Sequence, residues 1–395
     1  MDDDILITGL GVISCLGTGV DAFWSGMQRA ASAPRKVTDP HAHMAVPLMY
    51  AVPEADVPTR AETLDGQELG LCSRFALEVT RQALADAGSA DLDPSRTAVV
   101  IGTGMGDAGL HEQWRVHGHP ETDTWSPTFS VASAVGALVG AEGPNTSVSN
   151  ACAASGFALS LAADLIRSGE ADVVVAGGAE AYSRVALGCF NRLGAVDTVR
   201  CRPFDAHREG TVFGEGAAAL VLESAAHAAR RGAPKVYARL AGSGWSCDAY
   251  HATAIEPEGT QITQAMRRAL DAAGVVPEDI GCVVPHGTGT LINDTVESRA
   301  LTGLLGPGPA ERPLYSLKSL IGHTGGAAGA LAALSAALIV HAGTVPPNVA
   351  RDEPDPECGM SLPERAGTLT ASSVLVNAYA FGGNNVSLVL QEAGS

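Results

Sequence analysis

The stretch RQALADAG at Arg81 to Gly88 returns almost unchanged as RRALDAAG at Arg267 to Gly274. In both copies a helical register ends on glycine, which takes the left-handed conformation that closes a helix at no steric cost. The chain then runs through a proline-containing turn into a short apolar strand, Thr97 to Ile101 in one copy and Gly281 to Val284 in the other. A loop of glycine and threonine follows each strand, Gly102-Thr-Gly-Met-Gly and Gly287-Thr-Gly-Thr. This repeat constrains the chain to two similar α/β halves. No Pro/Ser linker parts them, so the sequence predicts one body whose halves meet near residues 225 to 260, divided as 1–235 and 236–395.

Further strand-like runs lie at Asp172 to Ala176, Ala217 to Leu222, Ser373 to Tyr379 and Val386 to Leu390, between helical stretches. Two of those helices, Ala153 to Arg167 and Gly326 to Val340, are apolar on nearly every face. A helix without a polar face is buried on all sides. One such helix from each half, held between sheets, predicts a five-layer αβαβα sandwich. The same reasoning assigns the weakly polar run Gly325 to Gly343 to the core rather than to a membrane span.

Charge and cysteine usage exclude other classes. Against 25 lysines and arginines stand 43 acidic residues, a net charge of −18, which repels a phosphate backbone, so no nucleic-acid partner is expected. The eight cysteines include no CxxC pair, and the His41/His43 and His117/His119 pairs lack acidic or thiol companions at ligand spacing, so no metal site is expected. Asp2 to Asp4 precede the first apolar run, the reverse of a secretory leader, and reduced thiols in a cytoplasm are the expectation.

Five places carry chemistry. Cys152, in Ser149-Asn-Ala-Cys-Ala-Ala-Ser-Gly156, begins one of the apolar helices, where unsatisfied N–H groups and the helix dipole favour a thiolate. His286 follows a short strand and opens His-Gly-Thr-Gly-Thr290, whose glycines admit a ligand and whose hydroxyls can bond it. His323, in Lys318-Ser-Leu-Ile-Gly-His-Thr-Gly-Gly326, heads the other apolar helix, and by the duplication it is the counterpart of Cys152. A pseudo-twofold axis would bring thiol and imidazole to one site. Lys318 is one of three lysines, and a buried lysine needs a carboxylate; Asp294 and Glu297 follow His286 within eleven residues, with Glu297 the expected ion-pair partner. Finally, Phe381-Gly-Gly-Asn-Asn385 is a glycine-rich turn able to aim a backbone N–H at a cavity.

In this order and spacing, NACAASG, HGTGT, KSLIGHTGGAAG and FGGNN resemble the β-ketoacyl-acyl carrier protein synthases, the elongating condensing enzymes of fatty acid and polyketide assembly, over nearly the whole chain from ITGLGVIS onward. The resemblance implies the thiolase fold. It implies that Cys152 takes an acyl group from a carrier protein and that His286 and His323 decarboxylate a malonyl thioester and stabilise its enolate. Cys152 and Phe381 would supply oxyanion N–H groups, with Phe381 also a gate. Lys318 and Glu297 would hold the histidines, while Thr288 and Thr290 bond the phosphopantetheine arm. Asp294 belongs to the same substrate loop, and Met105, Ala186 and Phe190 would line the acyl pocket. No metal or redox cofactor is implied; the partners are an acyl carrier protein and a second, identical or homologous, ketosynthase-like chain. Histidine at 323 is unlike the initiating synthases and unlike degradative thiolases. The alternatives are an acyltransferase using Cys152 with a non-malonyl acceptor and a non-catalytic chain-length partner, which usually lacks the cysteine.

The chain departs from the family at several places. Asn150 stands where threonine is common, and Tyr379-Ala380 replaces a common Phe-Gly, which predicts a stiffer gate wherever glycine's positive φ is needed. The stretch Ser133 to Asn145 is about one helical turn short. Within Asp65 to Arg74 only Arg74 remains to meet an acidic carrier, leaving Arg200, Arg202 and Arg208 or a dedicated partner to supply docking. These departures favour a specialised pathway over housekeeping fatty acid synthesis.

Overall fold

The repeat in the sequence is carried into the backbone element by element. The computed structural model describes residues 4–88, 92–118, 126–306 and 312–394; His119, one of the paired histidines above, lies outside them. The first half runs β1 (Ile5–Ser14), α1 (Leu71–Ala87), β2 (Thr97–Gly102), α2 (Ser130–Val139), β3 (Asn145–Val148), α3 (Ala154–Arg167), β4 (Val173–Glu180), α4 (Arg184–Arg192) and β5 (Gly216–Ser224). The second runs β6 (Ala238–Cys247), α5 (Thr260–Ala273), β7 (Ile280–Val284), α6 (Leu291–Leu305), the single turn α7 (Lys318–Ile321), α8 (Ala328–Ala342), β8 (Ser373–Ala380) and β9 (Asn384–Gln391). The repeated segments are α1 and α5, closed by left-handed Gly88 and Gly274 at φ 63° and 66°.

Strand pairing repeats as well. β2 lies parallel to β4, and β7 lies parallel to β8. β5 is antiparallel to β4 and β1, as β9 is to β8 and β6. Edge strand β3, parallel to β2, has as its counterpart a single parallel bridge between Val283 and Leu314. The two half-sheets are not separate: Leu6 and Ile7 pair with Arg239 and Ala238, fusing them into one sheet ordered β7-β8-β9-β6-β1-β5-β4-β2-β3.

Alternation along the strands divides the side chains among layers, because successive residues point to opposite faces. Val174, Leu220, Val374 and Leu388 join α3 and α8 in the central layer. Their neighbours Val175 and Val221 pack under α1 and α2, and Leu375 and Val389 pack under α5. The five layers are therefore helix, sheet, the pair α3 and α8, sheet, helix. Gly325–Ala342 is long and apolar enough to cross a membrane, yet Ala328 to Val340 is buried throughout as the core helix. α3 emerges only at its last turn, where Arg167 pairs with Asp164 at 3.5 Å.

The two central helices meet backbone to backbone. A Cβ on Gly329 of α8 would come within 2.5 Å of the Gly156 nitrogen of α3, and the Ser155 hydroxyl accepts the Ala330 N–H at 2.9 Å. Only glycine permits this approach. We expect Gly329→Ala to destabilise the protein by about 3 kcal/mol or to prevent folding, since a packed core cannot absorb the added methyl. Gly303→Ala, exposed in α6 with nothing within 4 Å of its Cβ position, should instead stabilise by about 0.5–1 kcal/mol. Thermal unfolding of the two variants separates close approach from simple helix propensity.

Candidate active site

Each central helix is entered through a one-turn 3₁₀ segment, Ala151–Ala153 before α3 and Gly325–Ala327 before α8. Cys152 is the middle residue of the first. Ala151 just before it holds φ at 46°, a left-handed conformation that a side chain adopts at a cost of about 1–2 kcal/mol and keeps only where the surroundings enforce it. Superposing the two turns places Gly326, not His323, opposite Cys152. His323 lies three residues earlier because α7 and Gly322 intervene, and a parallel bridge beside Phe213 fixes it: its N–H donates to the Val212 carbonyl at 2.8 Å and its carbonyl accepts from Gly214 at 3.0 Å. His323 Nδ1 accepts the Gly325 N–H at 3.2 Å, so the ring proton belongs on Nε2.

His286 follows β7 and is held through its backbone. Its N–H donates to Glu297 at 2.8 Å, and its carbonyl accepts from Lys318 Nζ at 2.5 Å. Glu297 also accepts the Gly287 N–H at 2.8 Å and the Asn377 amide at 3.2 Å. The expected Glu297–Lys318 ion pair is thus replaced by an arrangement in which both charges grip one peptide unit from opposite ends. Neutral N–H donors saturate the carboxylate, leaving the ammonium to reach the carbonyl. The two imidazoles stand nearly perpendicular, with centroids 5.6 Å apart. Burial, and then the Lys318 charge, hold both well below the usual imidazole range, so they are neutral at neutral pH. Burial likewise lowers Lys318 and raises Glu297 to about 7.

Cys152, His286, His323, Thr288, Thr290 and Phe381 all line one cavity of about 390 Å³. The two threonine hydroxyls are 2.9 Å apart. Asp294 is not on the wall. It is fully buried behind the loop, accepting N–H groups of Phe204, Thr288 and Gly289 at 2.9, 3.0 and 3.1 Å, so it shapes the loop rather than facing substrate. Met105 and Ala186 are also off this wall; they pack with Leu187, Phe213 and Phe190 in a separate apolar cluster. Phe190 does line the cavity and stacks on Phe381 at 5.8 Å with 21° between the rings, closing it on that side. Ala380 adopts ordinary extended backbone, φ −144°, and the positive φ values fall on Gly382 and Gly383, so the missing glycine is not needed there.

The sequence models of both domains of one family match, the β-ketoacyl synthase N-terminal domain over residues 2–228 and the C-terminal domain over 237–352. The chain belongs to the β-ketoacyl synthase family. The 3-oxoacyl-(acyl-carrier-protein) synthase 2 of Rhizobium meliloti (strain 1021) is 34% identical over 98% of this chain and 98% of its own. The tetracenomycin polyketide synthase ketoacyl synthase alpha subunit of Streptomyces glaucescens is also 34% identical, over 98% and 96%. Among solved structures, the ishigamide ketosynthase/chain length factor superposes with a TM-score of 0.90 at 35% identity, covering 99% of each chain. The architecture is that of the thiolase-like ketosynthases.

Within this family frame, two side chains escaped the sequence reading, and Tyr379 entered it only as a departure beside the gate. Asn377 on β8 props Glu297, Tyr379 places its ring 5.4 Å from His286, and Glu180 closes β4 against the head of α8. The run VVVAGGAE was visible as a strand, but nothing in it announced a buried carboxylate. The proposed docking arginines are internally neutralised: Arg200 pairs with Asp352 and Arg202 with Asp197, each at 2.8 Å, and Arg208 pairs with Asp355. Arg74 donates to the Pro58 carbonyl at 3.0 Å. Among the described residues no group of three or more His, Cys, Asp or Glu side chains could hold a metal ion.

Helix-head stabilisation of a Cys152 thiolate is outweighed. Loss of hydration pushes the thiol up to about 12; the Lys318 charge lowers it and Glu180 adds to the rise. We therefore expect iodoacetamide to alkylate Cys152 slowly at pH 7, with a rate that climbs roughly tenfold per pH unit through pH 9 as the thiolate fraction grows. Peptide mass spectrometry across that range checks this, and a plateau below pH 8 would show a thiol that the helix head does acidify.

Proposed function

We propose that the protein is an elongating β-ketoacyl-acyl carrier protein synthase, performing decarboxylative Claisen condensation in polyketide or specialised fatty acid biosynthesis in the cytoplasm. The observation that carries this reading is the meeting of a thiol from one half and two neutral imidazoles from the other in a single cavity. The boundary at residues 235/236 then separates a nucleophile half from a decarboxylation half.

The chemistry follows from the groups present. The Cys152 sulfur attacks the carbonyl carbon of an acyl-carrier thioester, its proton passes to the departing pantetheine thiol, and an acyl-Cys152 thioester remains. A malonyl thioester then enters, its arm bonded by Thr288 and Thr290. Its carboxylate leaves as CO₂, and the electron pair of the broken C–C bond becomes an enolate. The His323 Nε2–H, and an N–H of His286, donate to the enolate oxygen. Neutral imidazoles hold that oxygen without protonating the carbon that must react. The enolate carbon attacks the acyl carbon, the N–H groups of Cys152 and Phe381 receive the tetrahedral oxyanion, and collapse expels Cys152 with release of the 3-oxoacyl thioester. Lys318 and Glu297 position His286 through its peptide group. No metal or redox group enters this scheme, because both substrates ride on carrier phosphopantetheine.

A carrier protein and a second ketosynthase-like chain, identical or homologous, are the partners. The sheet ends at β3, and an edge strand is where another chain can continue a sheet. With three candidate docking arginines spent in internal pairs, a dedicated carrier is favoured over recognition by a broad basic patch.

Intact-protein mass after mixing with acyl-carrier thioesters of graded length tests the reading, with Cys152→Ala alongside. The expected result is one acyl adduct on the unaltered protein and none on the variant. An adduct that survives Cys152→Ala would move the nucleophile elsewhere; no adduct with any donor would turn the reading toward a chain-length partner.

A further inference from the structure

One buried carboxylate lies between the catalytic turns and takes no part in the scheme above. Glu180 ends β4 and is 1% exposed. Its Oε2 accepts two N–H groups at 2.8 Å, one from Gly104 in the loop after β2 and one from Gly326 at the head of α8. Its Oε1 accepts the Met105 N–H at 3.1 Å. The contact leaves no slack: a Cβ on Gly326 would come within 2.2 Å of the Gly104 nitrogen, and one on Gly325 within 2.8 Å of Glu180 Oε2. One side chain thus ties a loop of the first half to the helix head of the second, three residues beyond His323.

Among the described residues no arginine, lysine or histidine forms an ion pair with Glu180, and three backbone N–H groups hold its carboxylate. The titratable groups that feel its charge are Cys152 from the 3₁₀ turn and Cys72 from α1. Beyond these, Lys318 acts on Cys152, and Asp107 acts on Cys72. Burial raises Glu180 itself to about 7. A carboxylate kept dry without a cation is costly, yet three N–H donors on two oxygens are a set that an amide, with one acceptor oxygen, cannot satisfy.

We propose that Glu180 is a positioning residue for the condensation: its carboxylate locks the Gly104–Met105 loop to the head of α8, so that Cys152 and His323 face one cavity, and its charge opposes that of Lys318 at the nucleophile. This rests on Cys152 being the nucleophile. The two roles separate by substitution. Glu180→Gln keeps the size, removes the charge and leaves one acceptor oxygen for three donors. Glu180→Asp keeps the charge but shortens the reach by one methylene.

The experiment measures, for each variant, the pH profile of iodoacetamide alkylation at Cys152 by peptide mass spectrometry and the rate of self-acylation from an acyl-carrier thioester, with circular dichroism as the folding check. For Glu180→Gln the alkylation profile should move toward acid by about one pH unit, roughly a tenfold faster reaction at pH 8, while acylation falls at least tenfold. For Glu180→Asp the profile should stay in place while acylation falls. A Glu180→Gln profile that superimposes on the unaltered protein, or a Glu180→Asp protein that acylates at the unaltered rate, overturns the proposal. Should Glu180→Gln not fold, Glu180→Asp decides alone on the same criterion. Absence of acylation in the unaltered protein would strike the functional reading instead and leave the alkylation comparison standing.

Discussion

The structure depends on two helices touching where neither has a side chain. At Gly156 and Gly329 the backbones of α3 and α8 approach so closely that a methyl group on Gly329 would reach the facing nitrogen. Helices in this contact cannot slide independently, so the 3₁₀ turns that enter them are held in mutual register. Those turns end beside one cavity, and the two half-sheets, fused through Leu6 and Ile7, clamp the pair from both sides. A thiol from one half and two imidazoles from the other are thereby presented to one cavity.

The charges of the site follow from that burial. A lysine and a glutamate are both taken out of water, yet each is directed at the peptide group of His286 instead of at the other. This keeps the histidine ring fixed while leaving the ammonium's field free to act on Cys152. The same burial that neutralises the imidazoles makes them hydrogen-bond donors of the right strength for an enolate, and it keeps the thiol protonated at neutral pH.

Much of this was legible along the chain. The repeated helix ending, the two apolar helices and the four motifs located the halves, the central layer, and the residues Cys152, His286, His323, Lys318 and Phe381. What was hidden depends on a third element that spacing cannot reveal. Glu297 and Lys318 were paired by charge, but the His286 peptide sits between them. Asp294 follows the HGTGT loop, yet three N–H donors turn it inward. Arg200, Arg202 and Arg208 read as free cations because their aspartate partners come partly from the distant segment Asp352 to Asp355. Glu180 was passed over because its partners are backbone N–H groups of glycines and a methionine, which leave no trace in residue type.

The central claim is that decarboxylation belongs to the second half's imidazoles and can run without the first half's thiol. Carbon dioxide release from a malonyl carrier thioester, measured for Cys152→Gln and for the same protein also carrying His323→Ala, tests it most directly. The account predicts release from the single variant and its loss in the double variant. No release from Cys152→Gln, or release that persists when His323 is removed, would contradict it.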